Sequence, residues 1–491
     1  MRAGCCRNCF QLPSRCAAMV FLVNLSACSL GPAFVPPEAP PVSSYLPTGH
    51  PRDEAGLRVR YGTVQAQWWE LFQSAPLNEL VEKGIRHNPD LEAAAAAVRV
   101  AQANALAQRG ALFPQIAANW ESSRSKASNA LQPAVTSGQT LYSLHTAQVT
   151  VGYVADVWGG VRRQIESLEA LAENQVFQRE AIHNTLAANI ALAAIDEASL
   201  RGQIDATRRI ISAQSQLLSL LRRQQELGQI ALPDVLVQET AVAQARLLLP
   251  ALEKRLEEKR HLLAVLTGQF PGNAALPSFN LKSLRLPREL PLSVPGDLVR
   301  QRPDVRAAEA NVHAASAQVG VAIANRFPQI ALSANTGSTA EQISRLLNPG
   351  TGFWSVAGNV LQPLFDGGAL AYKQAAAEEG LVQAKAQYRS VVLTAFQNVA
   401  DALQGLQASG RAVSAASAAE NTARQTVDVI RSQIERGQVN VSVLIPAQKA
   451  YLEASLANVE AQADRRAAVV ALLHALGGGW WNRSGAALAT Q

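Results

Sequence analysis

The residues with the most reactive side chains, the cysteines, all lie at the start of the chain. They are Cys5, Cys6, Cys9, Cys16 and Cys28, and none follows in the rest of the 491 residues. The body of the chain therefore has neither a disulfide framework nor a thiolate metal site. Thiol chemistry is restricted to the N-terminal segment.

The other residues that could carry out chemistry form no recognisable site. The seven histidines are scattered, and no two have metal-ligand spacing on one helix face. Gly477-Gly478-Gly479 is not a phosphate-binding loop, because no strand precedes it and no helix follows. No nucleophile elbow or pair of acids stands out. We therefore expect no catalytic residue, no metal and no cofactor, and we predict that the protein is not an enzyme.

The first 28 residues have the pattern of an export signal. Three arginines and no acid precede Cys28, and Cys16–Leu25 form an apolar region of about ten residues that contains one polar residue, Asn24. That apolar run is too short to span a bilayer. The residues Leu25–Cys28 resemble the cleavage box of bacterial lipoproteins. This resemblance implies a signal peptide over 1–27 and acyl chains such as palmitate on Cys28.

The residue after the cysteine and the prolines that follow suggest where the protein resides. Ser29 stands where an Asp would imply retention in the inner membrane of lipoproteins, so the outer membrane is favoured. Seven prolines recur between Cys28 and Arg60, and such a stretch is extended and partly stiff. We predict that residues 28–60 form a tether between an acylated Cys28 and the folded body.

The body of the chain contains one stretch twice. Residues Pro89–Ala117 and Pro303–Ala331 align without a gap at an offset of 214, with 13 of 29 positions identical. Each copy predicts a helix that stops at a Phe-Pro pair and passes into a strand. The chain is therefore predicted to be built from two similar halves.

Each half repeats one order of elements: helix, two alternating strands, a very long helix, a glycine turn and a returning helix. In the first half Ile116, Ala118 and Trp120 alternate with polar residues. The predicted boundaries are a first repeat at 61–270 with strands at about 114–121 and 143–157, a linker at 271–295, a second repeat at 296–479 with strands at about 328–335 and 353–364, and a tail at 480–491.

The long helices and the few strands point to a shared tube. The helix from Val161 to about Leu227 would be about 100 Å long, which no compact globule needs. Four strands are too few to close a conducting barrel, and a membrane does not tolerate an open sheet edge. Either the strands lie outside a membrane, or several chains share a barrel; three chains would supply about twelve strands. The net charge of +6 falls to +3 without the first 27 residues, which disfavours nucleic acid binding.

Several motifs together resemble the TolC/OprM class of outer membrane efflux factors, in its lipoprotein (NodT-like) branch. They are Leu25–Cys28, Trp68-Trp69, Phe113-Pro114, Tyr153–Arg163, Arg302–Glu309, Phe365–Gly368, Ala395–Leu403 and Ala475–Trp480. The resemblance covers about nine tenths of the chain. It implies a mostly α-helical homotrimer whose β-hairpin pairs form a 12-stranded β-barrel in the outer membrane, continued by a long periplasmic α-helical barrel.

The resemblance also implies partners and a gate. The partners are a periplasmic adaptor (membrane fusion) protein, an inner-membrane pump of the resistance-nodulation-division (RND) type and outer membrane lipid. The glycine turns that start at Gly228 and Gly437 would form the closing end and the adaptor-docking surface. Asp234 matches an acid of the family pattern, and it would either line the constriction or only meet the positive end of its helix.

The second turn departs from the family pattern. Pro446 replaces a common acid, and Val443 occupies another commonly acidic position. Our hypothesis is that the gate closes through apolar side chains such as Val443 and Ile445, with Asp234 as its charge.

The predicted function is a passive conduit that carries drugs or other small toxic compounds from the periplasm to the exterior. Two alternatives stay open at this point: a conduit for type I protein secretion, and a periplasmic coiled-coil adaptor lipoprotein that is not a channel. The alternating strands argue against the second.

Overall fold

The computed structural model describes residues 30–46, 58–128 and 139–483. The predicted signal peptide, Cys28 and residues 484–491 of the predicted tail lie outside the described residues. The described chain forms two compact units. The sheet unit comprises Met1–Pro36, Arg99–Ala172 and Glu309–Ala386, and the helical unit comprises Pro37–Val98, Glu173–Ala308 and Gln387–Gln491, each as far as it is described.

The order predicted for each half is present, and two further short strands occur in the described chain. The elements are β1 Arg58–Tyr61, α1 Ala75–His87, α2 Pro89–Arg109, β2 Gln115–Lys126, β3 Leu141–Ala155, α3 Gly160–Glu226, α4 Leu232–Leu266, β4 Glu289–Leu292, α5 Pro295–Gln301, α6 Pro303–Ala324, β5 Gln329–Ala340, β6 Gly352–Leu361, α7 Ala369–Glu435 and α8 Leu444–Ala475. Helices therefore make up most of the described chain. Within it, no helix is both long and apolar enough to cross a lipid bilayer.

Proline sets the start of the repeated helices. The sequence predicts one helix from Pro76 to Arg109, but the structure breaks it at Asn88, whose backbone is extended. The cause is Pro89, because proline disfavours helical geometry in the residue before it. The Asn88 side chain then accepts hydrogen bonds from the N–H groups of Asp90 and Leu91 at 2.9 and 3.2 Å and so caps α2.

The second half breaks in the same way at Arg302, before Pro303. The Arg302 guanidinium donates to the Ala475 carbonyl at 2.7 Å and to both oxygens of Asp304. It therefore fastens the start of α6 to the end of α8 within the helical unit.

The sheet unit contains one antiparallel sheet in the order β2-β3-β5-β6. The hairpins of the two repeats are joined through β3 and β5, where Val151 faces Ala334. Strand β2 reaches Lys126, five residues beyond the predicted end of the first strand at about residue 121. Those residues pair with β3 although their sequence shows no apolar alternation.

A second, parallel sheet lies in the helical unit and was not predicted. Strand β1 pairs with β4, with Arg58 opposite Glu289 and Tyr61 opposite Leu292. Residues 58–60 of the predicted tether and residues 289–292 of the predicted linker therefore lie in strands.

The proline-rich segment is also packed rather than free. Leu30 N–H donates to the Trp158 carbonyl at 3.3 Å, and Arg163 Nε donates to the Leu30 carbonyl at 3.0 Å. Further on, the Tyr45 hydroxyl donates to the Ser293 carbonyl at 3.0 Å, and Leu46 is buried. The segment is thus attached to the folded body at both ends of its described part.

Candidate functional site

The first glycine turn joins α3 to α4 and ends its helix through left-handed geometry. Gly228 has a φ of +71°, and a Cβ there would meet nothing within 4 Å. Gly228 N–H donates to the Gln225 carbonyl at 2.9 Å, and Gln229 N–H donates to the Gln224 carbonyl at 2.8 Å. This pair of bonds closes the last turn of α3 and requires the conformation that glycine adopts without strain.

The second glycine turn joins α7 to α8 and has the same geometry. Gly437 has a φ of +73° and open space at its Cβ position. Its N–H donates to the Ile434 carbonyl at 2.9 Å, and Gln438 N–H donates to the Gln433 carbonyl at 2.9 Å. The two predicted turn residues therefore occupy equivalent places in the two halves.

The returning helices begin differently. The sequence predicts that Pro233 and Asp234 open the returning helix, because proline suits the first turn and an acid meets the positive helix end. Both residues lie in the first turn of α4, which confirms this prediction. In the second half the Asn440 side chain accepts a hydrogen bond from Ser442 N–H at 3.0 Å. A 3₁₀ turn, Val441–Val443, follows, and α8 starts at Leu444. The sequence pattern predicts a start two residues earlier, at Ser442.

Apolar packing holds the two turns side by side. A buried cluster of Leu218, Leu221, Val235 and Val242 contacts Ile230 of the first turn and Val441 of the second. Leu217 contacts both this cluster and a second one formed by Val427, Leu444 and Ala447. The helix spacing of these leucines and valines was the sequence signal for this contact, but one chain's periodicity does not say which partner lies opposite.

Asp234, Val443 and Ile445 all lie at this end of the helical unit. Asp234 is partly buried, and its carboxylate has no hydrogen bond or ion pair within the described part of the chain. It lies in the first turn of α4, near the positive end of the helix dipole. The Val443 side chain is 44% exposed, and Ile445 is partly buried.

The charges around the first turn are otherwise paired at the surface. Arg222 pairs with Glu239 at 3.1 Å, and Arg223 pairs with Glu226 at 3.2 Å. All four side chains are more than half exposed, so each pair stabilises the turn by less than about 1 kcal/mol. Asp234 is therefore a negative charge without a partner cation in the described chain.

Three buried glutamines lie behind the turns, and the sequence analysis missed them. Gln238 of α4 donates from Nε2 to the Gln214 carbonyl of α3 at 3.0 Å. The Oε1 atoms of Gln214, Gln238 and Gln448 accept no hydrogen bond from described residues. Buried amides with open acceptors stabilise packing less than apolar side chains of the same size. The helices are therefore packed less stably at these glutamines than at the two turns beside them.

The four-stranded sheet of the other unit has one apolar and one polar face, as the alternation predicted. One row across the four strands is Ile116, Val151, Ala334 and Val356, and the next row is Ala117, Thr150, Asn335 and Ser355. On the polar face the Ser355 hydroxyl donates to Asn335 Oδ1 at 2.8 Å. The apolar face carries exposed side chains such as Trp120 and Trp354.

No group of histidine, cysteine, aspartate or glutamate residues that could hold a metal ion is found in the parts of the chain that the structure describes. Cys28, the predicted lipid anchor, lies outside those parts.

Comparisons with known proteins agree over almost the whole chain. The family described as "Outer membrane efflux protein" matches residues 80–269 and 294–478. The chain is 28% identical to the pyoverdine export outer membrane protein OpmQ of Pseudomonas putida, over 96% of this chain and 98% of that protein. It is 30% identical to OpmQ of Pseudomonas aeruginosa, over 84% and 87%.

Solved structures show the same architecture. The outer-membrane channel OprN has a TM-score of 0.83 with 26% identity, covering 92% of this chain and all of OprN. The outer membrane protein VceC from Vibrio cholerae has a TM-score of 0.76 with 25% identity, covering 85% of this chain and all of VceC. The two turns, the amphipathic sheet and these matches lead to one conclusion: the chain belongs to the outer membrane efflux protein family and is a TolC/OprM-type channel of the outer membrane.

Proposed function

We propose that this protein is the outer membrane conduit of a tripartite efflux system and works as a homotrimer. The observation that supports this most directly is the four-stranded amphipathic sheet. Its outer strands β2 and β6 each pair on one side only in the described chain. An open sheet edge is not tolerated in a bilayer. Three copies that join β6 of one to β2 of the next would form a closed 12-stranded barrel.

The two faces of the sheet fit such a barrel. The row Ile116, Val151, Ala334 and Val356 would face lipid, and the row Ala117, Thr150, Asn335 and Ser355 would line a water-filled channel. The long helices would continue this channel as a periplasmic α-helical barrel. Acylation of Cys28 would anchor each copy to outer membrane lipid in addition.

The glycine turns would form the closing end of the tunnel and the surface that docks an adaptor. Gly228 and Gly437 fix two helix ends, while the buried glutamines behind them leave the packing less stable. Val443 and Ile445 would close the opening by apolar contact. Asp234 would place three negative charges, one for each copy, around the same opening.

The partners that fit this role are a periplasmic adaptor protein and an inner-membrane pump of the RND type. Two relatives are named for export of pyoverdine and for efflux of toluene. Those names describe the relatives, and they support small-molecule export for this chain more than type I protein secretion. A coiled-coil adaptor that is not a channel does not account for the sheet with its two distinct faces.

Two measurements test the conduit. The purified full-length protein should have the mass of three chains and should conduct ions in a planar bilayer. A strain that lacks the gene should become more sensitive to at least one class of small toxic compound, whereas secretion of proteins should not change. A monomeric protein that does not conduct would contradict the proposal.

The gate is tested by single-channel recording of Asp234→Asn. Loss of three charges at a constriction should lower the preference for cations over anions by several-fold, because unpaired charges in a narrow opening attract counter-ions. Glu239→Gln is the matched control, since Glu239 lies five residues later on the same helix and pairs with Arg222. Equal ion selectivity in Asp234→Asn and wild type would remove Asp234 from the pore.

A further inference from the structure

The loop between β5 and β6 folds back over the apolar face of the sheet. Leu346 of this loop is only 7% exposed, whereas Leu347 is 91% and Ile343 is 60% exposed. A cavity of about 590 Å³ lies beneath it. Its lining includes Trp120, Ala147, Val149, Ser338, Leu346 and Leu347.

Six of the nine sheet residues that line the cavity belong to the apolar face, and Asn119, Gln148 and Gly337 belong to the other face. Trp120 is opposite Ala147, and Ala147 is opposite Ser338, so the three side chains leave the sheet on one side. The loop therefore adds a leucine patch, formed by Ile343, Leu346 and Leu347, to the face that the proposed function assigns to lipid.

The loop is held in this shape by its own hydrogen bonds. The Thr351 hydroxyl lies 2.8 Å from the carbonyl oxygens of Leu346 and Asn348. Thr339 N–H donates to the Thr351 carbonyl at 2.9 Å, which closes the base of the loop. Because the loop is already ordered, a ligand that binds the leucine patch would not have to order it.

A cationic rim adjoins the leucine patch. Arg124 and Lys126 are on the same face of β2 as Trp120, since they follow it by four and six residues. Arg345 lies between the patch residues Ile343 and Leu346. None of these three cations is ion-paired with an acid among the described residues. One acid, Glu341, lies at the start of the same loop, so the rim has an excess of positive charge.

We propose that the leucine patch and the cationic rim together bind a phosphorylated, acylated lipid of the outer leaflet. This inference rests on the proposed function, which places the apolar face in a bilayer. Acyl chains would pack on Trp120 and Leu347, and phosphate groups would accept hydrogen bonds from Arg124 and Arg345. The arrangement matches such a lipid because apolar surface and cations lie at the same end of the sheet.

The test compares two lipids on the full-length protein in detergent, by native mass spectrometry. Lipid A, with two phosphates, is the probe, and zwitterionic phosphatidylethanolamine is the comparison. The double variant Arg124→Gln, Arg345→Gln should bind lipid A about 30-fold more weakly, since each cation near a lipid surface contributes about five-fold. Its binding of phosphatidylethanolamine should not change.

Two further variants separate charge from apolar contact. Leu347→Ser should weaken the binding of both lipids, because both have acyl chains. Lys385→Gln removes an exposed cation from α7 and should change neither. Equal affinity of the double variant and wild type for lipid A, or no preference of wild type for lipid A over phosphatidylethanolamine, would overturn the inference.

The same samples distinguish this inference from the proposed function. The mass spectrum reports the number of chains, and a planar bilayer reports conductance. If the protein is a conducting trimer but the double variant binds lipid A as tightly as wild type, only the lipid site is overturned. A monomer that does not conduct would overturn both.

Discussion

The two long helices have the same length but differ in how many of their residues are buried. Each of α3 and α7 has 67 residues, and each ends in a glycine turn. Of these residues 29 are buried in α3, but only nine are buried in α7. One chain therefore completes the packing of its first long helix and leaves the second largely uncovered.

The cover on α3 comes from segments far away in the sequence. Phe177 packs edge-on against Trp480, with ring centroids 5.7 Å apart, and Arg306 lies 5.0 Å over the Phe177 ring. Glu197 is fully buried and accepts a hydrogen bond from Phe279 N–H at 3.0 Å. On α7, by contrast, Leu393 and Val429 are 66% and 56% exposed. They are 36 residues, or ten helical turns, apart and so lie on one face.

The largest expected effect is on the covered helix. Phe177→Ala should lower the free energy of unfolding by about 3–5 kcal/mol, because it removes a buried ring and leaves a cavity. Thermal unfolding in detergent, followed by circular dichroism, measures it. Leu393→Ala on α7 is the control. It should lower the free energy of unfolding of a single chain far less, because Leu393 is exposed there. Similar losses for both variants would show that the two helices are equally covered.

The second largest effect is on the stability of the trimer and comes from the exposed face of α7. Leu393→Ser should weaken the trimer by about 2 kcal/mol per copy, since it removes apolar surface that a second copy would bury. The helix content of each chain should stay unchanged. Analytical ultracentrifugation over a range of detergent-solubilised protein concentrations measures the change. A trimer as stable as wild type would mean that this face of α7 meets solvent.

The two turns provide a smaller and symmetrical effect. Gly228→Ala and Gly437→Ala should each lower the free energy of unfolding by about 1 kcal/mol, because both residues have a left-handed backbone that alanine adopts with strain. An added Cβ would contact no other atom at either position, so no packing would offset this loss. Thermal unfolding of the two single variants gives the comparison. A much larger loss in one variant would show that the two turns differ in ways that their hydrogen bonds do not reveal.

The smallest effect is a pH dependence of the free energy of unfolding, and it comes from His183 on α3. Burial, and next the Arg483 cation, lower the pKa of His183 to about 4. Glu180 favours the protonated form, and Arg179 opposes it. The unfolded chain takes up a proton near pH 6.5, whereas the folded chain takes it up near pH 4. The contribution of His183 is therefore complete above pH 6.5 and decreases as the pH falls through this window.

Between pH 7 and pH 6 this loss should be roughly 0.7 kcal/mol. It should be absent in His183→Gln, which does not titrate. Unfolding measured at several pH values in both proteins tests it. An unchanged pH dependence in His183→Gln would assign the titration to other groups.

Sequence patterns were sufficient for the elements that alternate or repeat. The Phe113-Pro114 pair and the alternation of Ile116, Ala118 and Trp120 predicted the end of a helix and the apolar face of a strand. The extension of β2 to Lys126 was missed because residues 122–126 are polar or charged on both faces. These residues are in a strand because they pair with β3, and such pairing does not require alternating apolar residues in their own sequence.

The candidate site was predictable only in its backbone. Gly228 and Pro233 reveal where a helix ends and the next begins, because each restricts or permits particular backbone angles. The contact between Leu217 and the second turn depends on which helices are neighbours, and one sequence does not specify this. The role of Asp234 depends on other copies of the chain, so it stays a prediction.

The small parallel sheet has a consequence for the order of folding. Arg58 pairs with Glu289, so roughly 230 residues must be present before β1 finds its partner. Closing so long a loop is slow, and contacts distant in sequence generally form late. Shorter nascent chains keep the edge of β1 unpaired, and an unpaired edge invites aggregation. Truncated chains that end before Leu292 should therefore require a holding chaperone, whereas chains that include it should not.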